Sequence, residues 1–245
     1  MHTLSEKTLK AIKSDFDSLR CTSKLSSEAR ALLASVAVKR KLSSEDYLWE
    51  MGDPGEFIGI IASGLIEITR YSLGGDEEIA MGIFGPSDVI GLSAVMKKTS
   101  YPGSAKALAK ETEVIKLYLR PVLQTKKPIN TEIHTWIREM FLQHEQVLRD
   151  KIDILNAGAV ENRVFELINH LIRRFGRHES HLKHFIPIRL TRAQAAKMTD
   201  VRVETIIRLI SRWQKQHLLS WTQDGILIEN LPMLEKSLSK NKRLK

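Results

Sequence analysis

The segment Leu190–Trp221 constrains this chain most, because its pattern predicts two short helices joined by a tight turn. Thr191 and Gln194 have the spacing of a capping box, in which each side chain satisfies a backbone amide of the first helical turn. Asp200 tolerates the left-handed conformation that a tight turn requires. One face of the second helix repeats apolar residues at the spacing i, i+3, i+4, i+7: Ile206, Leu209, Ile210 and Trp213. Such a helix can bury one face and present the other to the major groove of DNA.

The free face of this second helix carries groups that can recognise bases. Arginine can donate two hydrogen bonds to guanine, and glutamate can accept one from cytosine. Glu204 and Arg208 are four residues apart and therefore project from one side. The alternative is that the two form only a surface salt bridge, which contributes little. The capped helix before them and a hairpin predicted over Ser220–Glu229, with a turn at Asp224-Gly225, favour a winged helix-turn-helix.

The segment resembles the helix-turn-helix of the CRP/FNR superfamily of bacterial transcription regulators. The run Val203–Arg208 is similar to the V-E-T-x-S-R motif of the FNR branch, with Ile207 in place of serine. The resemblance covers roughly residues 35–235. It implies that Glu204 and Arg208 read a TTGA- or TGA-like half-site of a palindrome, and that Val203 contacts a thymine methyl group.

The same resemblance implies contacts to the phosphate backbone. Thr191 and Arg192 would hold phosphate, and Arg202, which replaces the usual capping serine or threonine, would pair with phosphate. The complete predicted DNA-binding set is Thr191, Arg192, Arg202, Val203, Glu204, Ile207, Arg208 and Ser211. The partners implied are double-stranded DNA and RNA polymerase, with a small-molecule effector left unidentified.

The rest of the chain divides into segments with different patterns of apolar and turn-forming residues. Residues 1–34 have helical apolar spacing, and from Val36 to Leu119 short apolar runs alternate with turn signals, including Gly74-Gly75-Asp76. That pattern predicts an antiparallel sandwich or barrel, and the resemblance makes it a cyclic-nucleotide-binding β-roll. We therefore predict an α+β fold with a sensor-like domain over 1–129, a long dimerisation helix over 130–156, a winged helix-turn-helix over 157–235 and a disordered basic tail over 236–245.

The helix predicted over 130–156 is long, about 40 Å at 1.5 Å per residue. Its apolar stripe comprises Ile133, Ile137, Met140, Val147, Leu148, Ile152 and Leu155. A stripe of this kind is usually a core face. The resemblance implies instead that it joins two copies of the chain, so we expect a homodimer.

The β-roll lacks the residues with which the family binds cyclic AMP. Those are a glutamate after a glycine, for the ribose, and an arginine-serine pair, for the phosphate. The matching positions are Gly91-Leu92 and Gly103-Ser104, where leucine cannot accept a ribose hydroxyl and glycine carries no charge. Lys106 is nearby and could in principle bind the phosphate. We expect no cyclic-AMP response through the usual contacts.

No cofactor is expected. Cys21 is the single cysteine, so the chain cannot form an internal disulfide or hold the four-cysteine iron–sulfur cluster of FNR-type oxygen sensors. No histidine falls in the β-rich region, which disfavours haem. His178, His181 and His184 recur at three-residue intervals. The first two fall in a segment, Gly176–Lys183, that we predict to be a polar loop, and His184 directly follows it. Three imidazoles could bind zinc, but a solvated loop is the commoner outcome, and we predict no metal.

The composition agrees with a nucleic-acid partner. The net charge of +9 favours a polyanion. We find no nucleophile with its base, no metalloprotease motif and no phosphate loop, so we do not expect an enzyme. The segment Met1–Arg20 lacks the apolar core of a signal peptide, which suggests a cytoplasmic protein without a membrane anchor. The alternative function is a cyclic-nucleotide-like or small-molecule-binding module that acts on a protein partner.

Overall fold

The computed structural model describes residues 6–72, 78–124 and 129–240. It divides into two compact units, Met1–Val147 and Leu148–Lys245. The predicted turn at Gly74-Gly75-Asp76 and the end of the basic tail, residues 241–245, lie outside the described residues. No helix in the described ranges is both long and apolar enough to cross a lipid bilayer.

The first unit begins with helices and continues as strands. Its helices are α1 Glu6–Ser18, a short 3-10 helix Arg20–Thr22, α2 Ser27–Ser35, α3 Leu92–Lys97 and α4 Arg120–Leu123. Its strands are β1 Ala37–Leu42, β2 Tyr47–Trp49, β3 Ile58–Ser63, β4 Ile66–Tyr71, β5 Glu78–Phe84, β6 Val89–Ile90, β7 Ser104–Ala107 and β8 Thr112–Leu117. Helix α5, Ile129–Asn156, follows and continues into the second unit.

The strands form two antiparallel sheets, in the orders β1-β8-β3-β6 and β2-β7-β4-β5. The prediction of an antiparallel β domain is therefore confirmed. β3 is buried over Ile58–Ile61, which explains why its sequence is a continuous apolar run rather than an alternating one. Gly64 makes the turn to β4 with φ of +80°, a conformation that glycine adopts without strain.

The N-terminal half of α5 belongs to the core of the first unit. Ile133, Ile137 and Met140 are buried in one cluster with residues of α1, α2 and β8. Trp136 extends this contact, because its indole Nε1 donates a hydrogen bond of 2.7 Å to the carbonyl oxygen of Cys21. The apolar residues of this half of the helix therefore pack inside the protomer.

The second unit holds the last turns of α5 and a small α+β domain. Its further helices are α6 Val160–Phe175, α7 Arg192–Thr199, α8 Val203–Lys215 and α9 Leu231–Lys240. Its strands are β9 Arg177–His178, β10 His184–Ile186, β11 Leu219–Trp221 and β12 Ile226–Ile228, in the sheet order β11-β12-β10-β9. The predicted α+β class is confirmed.

Three local predictions differ from the structure. The segment Gly176–Lys183 is not wholly loop, because β9 lies in it and pairs with β10. The basic tail is helical as far as Lys240, since α9 buries Leu234 completely. The hairpin of β11 and β12 is present, but its last pair is Trp221 with Ile226, so the loop has four residues instead of the two of an Asp-Gly turn.

A buried histidine makes the stability of the second unit depend on pH. His170 is 2% exposed, and its Nδ1 lies 2.8 Å from Asp150 Oδ2. Burial lowers the pKa of His170 from 6.5 to about 4. Between these two values the unfolded chain binds a proton that the folded chain does not, so the free energy of unfolding falls as the pH falls.

We expect His170 to reduce the free energy of unfolding by about 2 kcal/mol between pH 7 and pH 5. Urea unfolding at the two pH values measures this change. His170→Gln keeps a hydrogen-bonding side chain but does not titrate, so its stability should fall less than that of the wild type. The exposed His134→Gln variant is the matched control and should follow the wild type. Equal losses in His170→Gln and the wild type would contradict the assignment.

Candidate nucleic-acid interface

Helix α7 begins with the predicted capping box. Thr191 Oγ1 accepts a hydrogen bond of 3.1 Å from the backbone N–H of Gln194, and Gln194 Oε1 accepts one of 2.8 Å from that of Thr191. The hydroxyl of Thr191 remains exposed and can still donate its own proton. The cap therefore fixes where α7 starts while leaving a donor at the surface.

The turn between α7 and α8 has the predicted left-handed residue. Asp200 adopts φ of +52° and ψ of +55°, and its backbone N–H donates to the carbonyl oxygen of Ala196. Arg202 then occupies the N-cap position of α8, where its side chain makes no capping hydrogen bond. The guanidinium of Arg202 is exposed, as a contact to phosphate would require.

Helix α8 has one buried and one exposed face. Ile206, Leu209, Ile210 and Trp213 are between 0% and 6% exposed, as the periodicity predicted. Each apolar side chain that is fully buried stabilises the fold by about 1.5–3 kcal/mol. The orientation of α8 about its own axis is therefore strongly determined by its packing.

The opposite face of α8 presents the predicted base-reading side chains to solvent. Glu204, Arg208 and Ser211 are exposed, Ile207 is 47% exposed, and Val203 is half-buried. Within the described part of the chain, neither Glu204 nor Arg208 forms a hydrogen bond or an ion pair. The surface salt bridge of the alternative interpretation is therefore absent, and both groups are available to an external partner.

Arg192 has an intramolecular role that the sequence did not reveal. Its guanidinium lies 4.6 Å from the ring centroid of Trp221, and its Nη2 donates a hydrogen bond of 3.1 Å to the carbonyl oxygen of Trp221. Burial lowers the pKa of Arg192, but a guanidinium is not deprotonated in proteins. Arg192 thus ties α7 to the β11–β12 hairpin, and a contact to phosphate would need its other donors.

The five candidate effector positions of the β domain are engaged within the protein. Leu92 is 1% exposed and belongs to the core. Ser104 Oγ accepts a hydrogen bond of 2.9 Å from the backbone N–H of Met51. Lys106 Nζ lies 2.9 Å from Glu45 Oε2, which raises the pKa of the lysine. Gly103 accepts a hydrogen bond from a buried indole, and Gly91 lies beside the same indole.

That indole belongs to Trp49, which the sequence analysis did not single out. The ring of Trp49 stacks on that of Tyr101, with centroids 4.1 Å apart and an interplanar angle of 10°. Its Nε1 donates a hydrogen bond of 3.0 Å to the carbonyl oxygen of Gly103. A Cβ placed on Gly91 would lie 3.1 Å from both rings. Trp49 therefore bridges the two segments that would hold a nucleotide.

The predicted dimerisation stripe needs correction. Ile133, Ile137 and Met140 are buried in the core of their own protomer, and Val147 is buried in a cluster with Phe84. They cannot face a second copy without unfolding that core. Of the predicted set, the structure leaves Leu148, Ile152 and Leu155 at least partly exposed.

These three residues continue a different stripe of α5. Phe141 is 38% exposed, Leu148 38% and Ile152 56%, and Leu155 is half-buried. The spacing of seven, four and three residues places them on one side of the helix. Exposed apolar residues in this pattern are typical of a seam between two helices.

The histidine motif brings together two of its three imidazoles. His178 and His184 are directly opposite on β9 and β10, with ring centroids 4.8 Å apart, and His181 lies in the turn between them. Burial and the neighbouring His178 lower the pKa of His184. Across the described ranges, no group of three or more His, Cys, Asp or Glu side chains is placed to hold a metal ion.

Two sequence families match the chain in the order of its two folded parts. Residues 39–125 match the family Cyclic nucleotide-binding domain, and residues 162–237 match the family Crp-like helix-turn-helix domain. The second match includes α7, α8 and the hairpin that follows them.

Similar proteins are bacterial regulators. The chain is 27% identical over 208 residues to the Anaerobic regulatory protein of Bacillus subtilis, across 83% of this chain and 84% of the relative. It is 28% identical over 192 residues to Electron transport regulator A of Shewanella oneidensis, across 78% and 74%. Its fold is similar to that of FixK2 from Bradyrhizobium japonicum, with a TM-score of 0.67, 18% identity, and 82% and 96% of the two chains covered.

Replacing Arg208 tests the exposed face of α8. Arg208→Ala should weaken binding to a preferred DNA site by about 1–3 kcal/mol and relax the preference at one guanine, because it removes a bidentate donor. Binding assays on the preferred site and on single-base variants measure both effects. Arg177→Ala removes the same charge from exposed strand β9 and should leave base preference unchanged. If Arg208→Ala altered neither affinity nor preference, α8 would not be the reading helix.

Proposed function

Since the chain belongs to the CRP/FNR superfamily of DNA-binding transcription regulators, we propose that it binds a palindromic DNA site as a homodimer, with TTGA- or TGA-like half-sites. The relatives it matches are named as regulators. The observation that carries the proposal is the exposed face of α8, on which Glu204 and Arg208 have no hydrogen-bond or ion-pair partner among the residues that the structure describes. A helix with such a face, preceded by a capped helix and followed by a hairpin, suits the major groove.

The proposed readout assigns one task to each exposed group. Arg208 donates to guanine O6 and N7, and Glu204 accepts from cytosine N4. Val203 contacts a thymine methyl group, and Ile207 supplies an apolar surface where the FNR branch has a serine hydroxyl. Phosphate contacts from residues at the start of α7 and from Arg202 fix the register but carry no base information.

A homodimer is supported by the seam on α5. Phe141, Leu148, Ile152 and Leu155 expose apolar surface along a helix, and pairing two such helices removes that surface from water. A two-fold dimer presents its two copies of α8 about 34 Å apart, one turn of DNA. That separation makes a palindromic site the natural partner.

We propose that the β domain does not sense cyclic AMP or oxygen in the ways the family resemblance suggests. Leu92 and Gly103 offer neither a carboxylate nor a cation, and the Trp49 indole contacts both segments that would hold the nucleotide. A four-cysteine cluster is ruled out because Cys21 is the single cysteine of the sequence. Burial also raises the pKa of Cys21 to about 12, which disfavours the thiolate that binds metals. Any effector is therefore a different molecule.

RNA polymerase is the further partner that we propose. The family resemblance suggests that residues 176–183 lie near the surface offered to the polymerase. In this chain those residues belong to the β9–β10 hairpin, whose exposed side chains include His178 and His181. The second candidate function remains a small-molecule-binding module that acts on a protein, for which the intact β domain is the supporting feature.

Selection of bound sequences from random DNA separates the two candidates. An enriched palindrome with TGA-like halves supports the regulator, and the purified wild-type chain should yield it without added nucleotide. The module predicts no enrichment, and in that case capture of a protein partner by the β domain becomes the relevant assay. Enrichment of a non-palindromic sequence would contradict the symmetric dimer.

Charge in the seam should dissociate the dimer. The double variant Leu148→Glu and Ile152→Glu places like charges opposite each other across the two-fold axis, so we expect monomers at micromolar concentration. Analytical ultracentrifugation measures the change. Leu142→Glu is the matched control, because Leu142 is 63% exposed on the same helix but outside the stripe. A wild-type monomer, or a double variant that stays dimeric, would refute the proposed seam.

Cyclic AMP should change neither DNA affinity nor thermal stability. A ligand present at 100 times its dissociation constant stabilises the folded state by about 2.7 kcal/mol, which a melting curve detects easily. Titration of the nucleotide in a DNA-binding assay gives the second measurement. A clear gain in DNA affinity or in melting temperature at micromolar nucleotide would show that another group had taken over the phosphate contact. Lys106→Ala would be the first variant to test for that role.

A further inference from the structure

The C-terminal end of α7 is bound by two cationic side chains from outside the helix-turn-helix. Lys151 Nζ donates to two consecutive carbonyl oxygens, those of Lys197 at 3.3 Å and Met198 at 2.7 Å. Arg163 Nη1 donates to the next two, at 3.4 Å and 3.3 Å. All four carbonyl oxygens of residues 197–200 therefore accept a hydrogen bond from a charged donor.

Two features make these charged hydrogen bonds stronger than the bonds that usually satisfy the end of a helix. Lys151 is only 7% exposed, so its ammonium group has lost most of its water and depends on the carbonyl oxygens for compensation. Cations at the end of a helix also interact favourably with its dipole. The turn itself is constrained, because Asp200 holds a left-handed conformation that non-glycine residues seldom adopt. The two cations thus fix the direction in which the chain leaves α7 and enters α8.

The two cations come from different helices, and one of them is α5. Lys151 lies in the last two turns of α5, and Arg163 lies in the first turn of α6. The neighbour of Lys151, Asp150, binds α6 through His170 at 2.8 Å and Arg173 at 3.5 Å. Adjacent residues of opposite charge therefore attach the end of α5 to both α6 and α7.

The same turns of α5 carry part of the proposed dimer seam. Leu148, Ile152 and Leu155 lie on the side of the helix next to Lys151, within about a quarter turn of it. One short segment would therefore contact the second protomer through one side and the turn of the helix-turn-helix through the next. A change in the contacts of Lys151 would move α8 with respect to the two-fold axis.

We propose that Lys151, together with Arg163, is a positioning residue that sets the separation of the two α8 helices in the dimer and hence the half-site spacing that the dimer accepts. Neither side chain touches DNA in this proposal. The inference rests on the proposed function, because it requires a dimer that binds a palindrome. It goes beyond that function in assigning the spacing preference to hydrogen bonds inside the protomer.

The test measures affinity as a function of spacing. Three DNA duplexes carry the half-sites selected by the wild type, at the selected spacing and at spacings one base pair longer and shorter. Full-length Lys151→Met, which keeps the length of the side chain but removes the ammonium group, is compared with Lys151→Arg, which retains the charge and the donors. Lys215→Met removes the same charge from an exposed position at the end of α8 and serves as the matched control.

We expect the wild type to prefer one spacing and Lys151→Met to lose that preference. Its affinity should fall about ten-fold at the selected spacing and much less at the other two. Lys151→Arg should restore the preference, and Lys215→Met should weaken all three duplexes alike. Equal losses of Lys151→Met at every spacing would overturn the proposal, since a general loss of folding or charge has no reason to depend on spacing. Unchanged binding would overturn it as well.

Melting curves and the wild-type binding data distinguish a failure of folding or of the proposed function from a failure of the role of Lys151. Melting curves report whether Lys151→Met folds, and if it does not, Arg163→Gln, at a half-buried position, is tested in the same way and should also broaden the spacing preference. A wild type that binds none of the three duplexes would refute the proposed function rather than the role of Lys151. A wild type with a clear preference that both variants retain would refute the role of Lys151 alone.

Discussion

The packing of α8 through a single face is the constraint on which the function of this chain depends. Trp213 and Ile206 are completely buried, so the helix cannot rotate about its axis without exposing them. That restriction keeps Glu204 and Arg208 at the surface, where neither side chain forms a hydrogen bond or an ion pair with the described residues. The capping box of α7 and the stacking of Arg192 on Trp221 hold the elements on either side. In the proposed function, this packing would support specific recognition, because the residues that fix the helix are not those that contact DNA.

The first unit matches a nucleotide-binding family, but the residues at its candidate binding positions are bound within the protein. Residues 39–125, which include most strands of this unit, match the family Cyclic nucleotide-binding domain. The positions that would face a nucleotide are nonetheless satisfied internally, by Glu45 for Lys106 and by the Trp49 indole for the carbonyl oxygen of Gly103. Stacked aromatic rings pack well in this place and hydrogen-bond at their polar edge. These internal contacts support the proposal that the domain does not sense cyclic AMP.

Much of the candidate interface was predictable because its signals are local. The helical periodicity of α8, the spacing of Thr191 and Gln194 and the left-handed Asp200 are all encoded within a few residues. Which side of α5 is buried was not predictable from the sequence, because the buried and exposed apolar stripes are only about a quarter turn apart around the helix. Which stripe is buried depends on helices α1 and α2, more than a hundred residues away along the chain. The roles of Trp49 and Lys151 were missed for the same reason, since their partners are distant in sequence.

The packing around Trp49 limits which substitutions the candidate nucleotide positions of the β domain can accept. A side chain at Gly103 would place its Cβ 2.5 Å from the carbonyl oxygen of Thr69, and one at Gly91 would press on two aromatic rings. An arginine at Gly103 would fit only after β4 had shifted, and in the other segment a carboxylate would have to replace Leu92, which is buried in the core. Each of those steps alone costs packing and confers no binding. A nucleotide site of the family type is therefore hard to build in this domain by single substitutions.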